Sequence, residues 1–131
     1  YHRVGVMEVL ETCVYAEDLR AARAFYEGIL GLPCFQYNPS RHAFFRAGRG
    51  VFLVFNPKAT EREEVLPPHG AYGSVHVAFR VEEEHLCEWE RRLKEAGYPV
   101  FWANWPQGKS LYTQDPAGNL VELAPGKIWG L

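Results

Sequence analysis

Residues 110–126 of the chain read SLYTQDPAGNLVELAPG. The DPAGN in the middle, residues 115–119, combines Asp, Pro, Gly and Asn, which favour turns for different physical reasons. The segments LYTQ and LVEL on either side have the composition of β-strands. We therefore predict a β-hairpin in which a five-residue turn places Gln114 opposite Leu120.

One residue of this hairpin does not suit an ordinary strand. Glu122 lies between Val121 and Leu123, and the predicted register places it opposite Tyr112. A carboxylate in such a strand must face water or have a partner, because burying an unpaired charge is costly. The identity of that partner is the main functional question that this sequence raises.

Two helices are predicted upstream of the hairpin. Asp18 is a suitable N-cap for LRAARAFYEGIL, residues 19–30, whose apolar residues recur at helical spacing before Gly31. The second helix is predicted over EEHLCEWERRLKEAG, residues 83–97, and ends at Gly97. Each helix follows a short alternating strand, VLETCVY or GSVHVAFRV, and is followed by about three more strands.

The order of strand, helix and about three strands occurs twice, which indicates an internal repeat. Glu11 aligns with His76 at an offset of 65, and the ends of the two halves align at an offset of 68. We expect an α+β fold in one domain, in which two βαβββ modules form a curved mixed sheet around a central cleft. The expected bounds are about 5–57 for module one, 58–72 for a mobile crossover and about 73–126 for module two.

Strand alternation turns three polar residues in the same direction. The apolar neighbours of Glu11, His76 and Glu122 face the predicted helices, so these three face away from the helices, into the cleft. Two carboxylates and an imidazole can hold a divalent cation together. Simpler explanations exist for each residue. His76 can be a hydrogen-bonded groove histidine, Glu11 a rim residue or general base, and Glu122 a partner of Arg80 or Lys109.

Composition excludes several function classes. A net charge of −2 with both signs mixed along 131 residues does not favour nucleic acid or an anionic membrane. The three cysteines are an odd number without a CxxC pair, which favours reduced thiols and a cytoplasmic location. The first residues include Glu8, Glu11, Glu17 and Asp18 and have no long apolar core, so no signal peptide is expected. No run of about 18 apolar residues is present, so no membrane span is expected.

Two stretches of the sequence resemble the vicinal oxygen chelate superfamily. This superfamily includes glyoxalase I, fosfomycin-resistance proteins, extradiol dioxygenases, methylmalonyl-CoA epimerase and bleomycin-resistance proteins. ETCVYAEDLRAARAFYEGILGL is similar to its first module, and VHVAFRV with SLYTQDPAGNLVEL is similar to its second. The resemblance implies paired βαβββ modules that enclose a metal site. It also implies a homodimer, in which the halves can be exchanged between subunits to complete that site.

The family's ligand positions fall on Glu11, His76 and Glu122, and the fourth position, which glyoxalase I uses, falls on Val54. Valine cannot bind a metal, so the resemblance implies three protein ligands and open positions for substrate or water. It implies a divalent ion, Mn, Mg, Ni, Zn or Fe. A fourth position without a donor disfavours glyoxalase I, and a glutamate in place of the first histidine disfavours dioxygenase chemistry.

Two functions follow as hypotheses from this resemblance. In the first, the protein is a metal-dependent isomerase, lyase or thiol transferase, and its substrate is a small molecule that chelates the ion through neighbouring oxygens. We expect four residues to contact that substrate: Arg46, Trp102, Ser110 and Tyr112. In the second, the protein is a metal-free binding or sequestration protein of the bleomycin-resistance type, in which aromatic side chains grip the ligand.

Overall fold

A computed structural model describes residues 7–131 as two four-stranded sheets with helices between them. In each sheet the first and last strands of a module pair in parallel, while the other pairs are antiparallel. In each sheet the spatial order is the first, last, third and second strand of the module, so the two sheets repeat one topology. The predicted α+β class with two βαβββ modules is therefore confirmed.

The first sheet and its helices come from the N-terminal half of the described chain. Its helices are α1 Leu19–Arg23, a π-helical continuation Ala24–Ile29 and α2 Pro57–Thr60. Its strands are β1 Glu11–Tyr15, β2 Cys34–Asn38, β3 His42–Ala47 and β4 Gly50–Phe55. Strand β2 was expected only as one of about three strands, and α2, which starts the crossover, was not predicted.

The second sheet repeats this order. Its helices are the 3₁₀ turn Glu83–His85, α3 Leu86–Glu95 and a closing 3₁₀ turn Gly126–Trp129. Its strands are β5 His76–Arg80, β6 Phe101–Trp105, β7 Gly108–Gln114 and β8 Leu120–Ala124. The predicted hairpin register is confirmed, because Gln114 pairs with Leu120 and Tyr112 with Glu122.

The first helix begins as predicted but changes form within its length. The Asp18 side chain accepts a hydrogen bond from the Ala21 N–H at 3.0 Å, which confirms the N-cap. From Ala24 the helix widens, and the Leu30 N–H bonds to the carbonyl of Phe25. Gly31 then ends it with a φ of 79°, a value that glycine adopts without strain. Apolar spacing alone does not distinguish this wider helix from an α-helix.

Both sheets contribute their helix-covered faces to a single core. Phe52 of β4 and Phe79 of β5 meet edge to face at 5.1 Å, and Tyr26 lies 4.7 Å from Phe52 and 6.3 Å from Phe79. All three belong to one hydrophobic cluster that contains residues from both halves of the chain. Because the core lies between the two sheets, the other face of each sheet points away from it.

Buried polar contacts join the two modules through the DPAGN turn. The Tyr26 hydroxyl donates to Asp115 Oδ2 at 2.7 Å, and the Asn119 amide donates to the Tyr15 carbonyl at 3.1 Å. Asn119 also accepts the Val75 N–H, so it fixes the start of β5. The turn residues that shape the hairpin therefore also hold the modules together.

We expect the Tyr26→Phe variant to lose less stability than the wild type at high pH. Burial and the neighbouring Asp115 carboxylate raise the pKa of Tyr26 above its ordinary value of 10.0. The folded chain keeps a proton that the unfolded chain releases above pH 10, so stability present below pH 10 is lost as the pH rises. Between pH 9 and 11, the free energy of unfolding measured with urea should fall by about 1.4 kcal/mol less in the variant than in the wild type. The same pH dependence of the free energy of unfolding in both proteins would show that Tyr26 does not cause this loss of stability.

Two further expectations concern the whole described chain. Cys13, Cys34 and Cys87 are all free thiols, as predicted. Within residues 7–131, no helix combines the length and the apolar run that crossing a membrane requires.

Candidate metal centre

His76 and Glu122 lie together on the outer face of the second sheet. Strands β5 and β8 are parallel neighbours, with Ala78 opposite Glu122 and His76 opposite Leu120. His76 Nε2 lies 3.3 Å from Glu122 Oε1. This outer face, which also bears Ser110 and Tyr112, is called the His76 face below.

The hydrogen bonding of His76 favours one tautomer. Its Nδ1 lies 3.0 Å from the carbonyl oxygen of Leu120, and a carbonyl can only accept a hydrogen bond. We therefore assign the proton to Nδ1, which leaves the Nε2 lone pair directed at Glu122. Histidine ligands of metals commonly donate their second ring nitrogen to a backbone carbonyl in this way. The side chain is 47% exposed, so a ligand can reach Nε2 from solvent.

Glu122 is buried and incompletely satisfied. Its side chain is 8% exposed, and among the described residues its Oε2 has no hydrogen-bond partner. Burial and the Glu122 carboxylate together raise the pKa of the neighbouring Tyr112 hydroxyl. A buried carboxylate oxygen without a partner costs free energy that a cation would recover. The donor set of one imidazole nitrogen and one carboxylate thus fits a divalent metal ion.

Ser110 and Trp105 extend the His76 face towards the edge of the sheet. Ser110 is fully buried, and the Trp105 indole donates to its Oγ at 2.8 Å. Because that oxygen already accepts a hydrogen bond, the hydroxyl proton remains available to a ligand or to Tyr112. Phe101 pairs with Tyr112, so its ring lies on this face as well.

Trp102 lies on the opposite face of this sheet from the other expected substrate contacts. It pairs with the core residue Leu111, and its indole donates to Glu90 of α3 at 2.6 Å. Trp102 therefore lies away from the His76 face, whereas Phe101 and Trp105 lie on it. The length of the turn between the two strands, residues 106–107, fixes the face on which each aromatic side chain lies. That turn was not predicted from the sequence. Counting in twos back from Tyr112 across a two-residue turn would have identified both aromatics.

Glu11 lies on the outer face of the first sheet. It pairs with Val51, which in turn pairs with Arg46, so these three residues form one row across β1, β4 and β3. The next row contains Cys13, Leu53 and Phe44. This surface is called the Glu11 face below. The predicted direction of Glu11, away from the helices, is thus the one observed, and Arg46 shares its face.

The fourth ligand position needs a correction. His76 pairs with Leu120 just as Glu11 pairs with Val51, so the two modules superpose at an offset of 69 in their last strands. The counterpart of Glu122 is therefore Leu53, whereas Val54 faces the core. The offset of 68 was one residue short because it aligned the two terminal turns. Leucine, like valine, provides no ligand.

Within one chain the three proposed ligands do not meet. Residues 7–131 contain no group of three or more His, Cys, Asp and Glu side chains that could hold a metal ion. The shared core explains this separation, because Phe52 and Phe79 bring the inner faces together while Glu11 and His76 occupy the outer faces. The pair His76 and Glu122 forms locally, and Glu11 lies apart from it.

The chain therefore consists of two βαβββ modules of one topology, with a histidine and a glutamate side by side on the paired first and last strands of the second module. The chain belongs to the Glyoxalase/Bleomycin resistance protein/Dioxygenase superfamily, whose family model matches residues 8–123. The family predicted from the sequence is therefore confirmed.

The chain is similar to proteins named as enzymes. It is 29% identical to a metallothiol transferase FosB of Bacillus licheniformis over 116 residues, covering 86% of this chain and 71% of that protein. A FosB of Shouchella clausii is 33% identical over 91 residues, covering 66% of this chain and 58% of that protein. The crystal structure of a lactoylglutathione lyase from Agrobacterium tumefaciens matches with a TM-score of 0.91 and 38% identity, covering 97% and 99% of the two chains. These names support a glyoxalase-like enzyme over a binding protein.

Proposed function

We propose that this protein is a divalent-metal-dependent enzyme that acts on a small substrate with two neighbouring oxygen donors. The main observation is the buried Glu122 carboxylate, whose Oε2 has no hydrogen-bond partner among the described residues and whose Oε1 lies 3.3 Å from His76 Nε2. A metal ion at this pair would stabilise both groups. When bound, it would act as a Lewis acid towards the chelated oxygens.

The proposal includes a homodimer, because a single chain keeps Glu11 apart from the other two ligands. Strands β1 and β5 are edge strands of their sheets, so another chain can approach both. Glu11 of one subunit would then join His76 and Glu122 of its partner. Each dimer would contain two equivalent sites, as expected for two-fold symmetry. We include a cytoplasmic location, consistent with three free thiols.

The residues around the pair have separate roles in this proposal. The Tyr112 hydroxyl, held beside Glu122, would orient the substrate and donate to an oxygen that gains charge. Ser110 would donate a second hydrogen bond from its buried hydroxyl. The exposed Glu11 of the partner subunit would complete the ligand set or accept a proton from the substrate.

The names of the relatives narrow the reaction within the proposal. Thiol transfer fits three protein ligands with open positions for substrate. The lactoylglutathione lyase relative, which has the activity of glyoxalase I, argues instead against the expectation that the missing fourth donor disfavours that reaction. Leu53 leaves the fourth position without a donor, which favours a reaction that needs more than one open position. Candidate ions are Mn²⁺, Ni²⁺, Zn²⁺, Mg²⁺ and Fe²⁺, because carboxylate and imidazole donors suit all of them.

A metal-free binding protein is the second candidate. The Glu11 face has a half-exposed aromatic surface around Phe35 and Phe44, whose rings lie 6.2 Å apart. Such a surface could hold an apolar or cationic ligand without any metal. The metal-binding experiment below separates the two candidates.

We expect the wild-type protein, purified without a histidine tag, to contain close to one divalent ion per chain. Glu122→Gln and His76→Ala should each lower the Mn²⁺ affinity roughly 100-fold or more, because each removes a direct ligand. Elemental analysis measures the metal content per chain. In thermal unfolding, Mn²⁺ at 100 times the wild-type Kd should stabilise the wild type by about 2.7 kcal/mol, and it should not stabilise the two variants to this extent.

The matched controls are Glu84→Gln and His85→Ala, which change the same residue types at exposed positions outside the site. They should bind metal like the wild type. A wild-type protein without metal and without Mn²⁺ stabilisation would exclude the enzyme proposal and favour the aromatic binding surface.

A further inference from the structure

We infer that Arg46 forms an anion-binding subsite on the Glu11 face, so that the substrate is a small organic oxyanion as well as a metal chelator. This inference rests on the proposed function, because it assigns the chelating end of the substrate to the metal beside Glu11. It adds a substrate class: an oxygen chelator at one end, an apolar body, and a carboxylate or phosphonate at the other end.

The sheet register places Arg46 and Glu11 in one row. Glu11 pairs with Val51 and Val51 with Arg46, and paired residues share a face of a sheet. Two strand spacings separate their backbones by roughly 10 Å. A molecule bound to a metal beside Glu11 and extending across the strands therefore passes over Val51 towards Arg46.

Arg46 is available for such a contact. It is exposed, and among residues 7–131 it makes no ion pair. Its guanidinium lies 4.0 Å from the centre of the Phe35 ring, which supports one side of the planar group. Stacking of this kind restricts an arginine and leaves its N–H edge free. That edge matches a carboxylate or phosphonate with two parallel hydrogen bonds.

The surface between the two ends is apolar. Leu53 and Phe44 form the neighbouring row, and Phe44 stacks on His42 at 4.2 Å and lies 6.2 Å from Phe35. Leu53 is 7% exposed and Phe35 43% exposed, so the surface has a packed centre and an open aromatic rim. This surface would contact a planar or aliphatic body between the chelating oxygens and the anion.

The test uses three probes that share one chelating end. Mandelate has an α-hydroxycarboxylate and a phenyl ring, and 4-carboxymandelate and 4-phosphonomandelate add a second anion at the far side of the ring. With Mn²⁺-loaded protein and isothermal titration, we expect the wild type to bind at least one dianionic probe roughly 10- to 100-fold more tightly than mandelate. The better of the two identifies the preferred anion. Arg46→Gln should abolish the preference, and Arg46→Lys should retain only part of it.

Arg92→Gln is the matched control. Arg92 is also an exposed arginine over an aromatic ring, 5.0 Å from Trp89, but it lies on α3 outside the site. It should keep the full preference. Equal binding of all three probes by Mn²⁺-loaded wild type, or an unchanged preference in Arg46→Gln, would overturn the subsite alone. A wild type that takes up no Mn²⁺, measured by electron paramagnetic resonance, would overturn the proposed function and this inference with it.

Discussion

Two variants that bind no metal by themselves will recover metal binding when they are mixed. The first is Glu11→Ala and the second combines His76→Ala with Glu122→Gln. If each site takes Glu11 from one subunit and the other two ligands from its partner, a mixed dimer has one intact site. Random mixing makes half of the dimers mixed, so the Mn²⁺ content should return to about a quarter of the wild-type value.

The measurement is elemental analysis after co-refolding from urea, with gel filtration to verify the dimer. In the matched control, Glu64→Ala takes the place of Glu11→Ala. Glu64 is an exposed glutamate of the crossover, so the Glu64→Ala variant should bind metal without being mixed. A mixture that stays metal-free would show that the site does not form between subunits. Full metal content in Glu11→Ala would show that Glu11 is not a ligand and would favour its role as a base.

Replacing Asp115 by alanine will destabilise the fold by roughly 3–5 kcal/mol, the largest stability effect that we expect from one substitution. Asp115 is 4% exposed. Its Oδ1 accepts the N–H groups of Ala117 and Asn119, and its Oδ2 accepts the Tyr26 hydroxyl and the Asn119 amide. Alanine would leave the Tyr26 hydroxyl in one module and the Asn119 N–H in the other buried without these acceptors.

Urea unfolding at pH 7 measures the difference in the free energy of unfolding. Tyr26→Phe removes one hydrogen bond of this cluster and should cost about 1 kcal/mol. The matched control is Asp18→Ala, which removes an exposed N-cap carboxylate and should also cost about 1 kcal/mol. A loss for Asp115→Ala no larger than that of Asp18→Ala would mean that the modules do not depend on this cluster.

Much of the local structure could be predicted because it depends on short-range rules. The N-cap at Asp18 and the hairpin register each follow from a few neighbouring residues. The helix stops at Gly31 and Gly97 follow from glycine's freedom to adopt positive φ, and both residues have it. The wider turn of the first helix could not be predicted, because its apolar residues fit an α-helix equally well.

The placement of the aromatics depended on information that local patterns lack. Trp102 and Trp105 lie in one strand, yet one bonds to Glu90 on the helix side and the other to Ser110 on the outer face. A shift of one residue in strand register exchanges the two faces. The same uncertainty explains why Val54, instead of Leu53, was assigned as the counterpart of Glu122.

The sequence by itself determined the family, the turn chemistry and the face of each strand on which Glu11, His76 and Glu122 lie, because strand alternation and turn length are local properties. Only the tertiary structure decided which of these residues meet. Parallel pairing of β5 with β8 brings His76 to Glu122, while packing of the two inner faces keeps Glu11 apart from them in one chain. Distances between outer faces depend on how whole sheets pack, and no short segment of sequence encodes that.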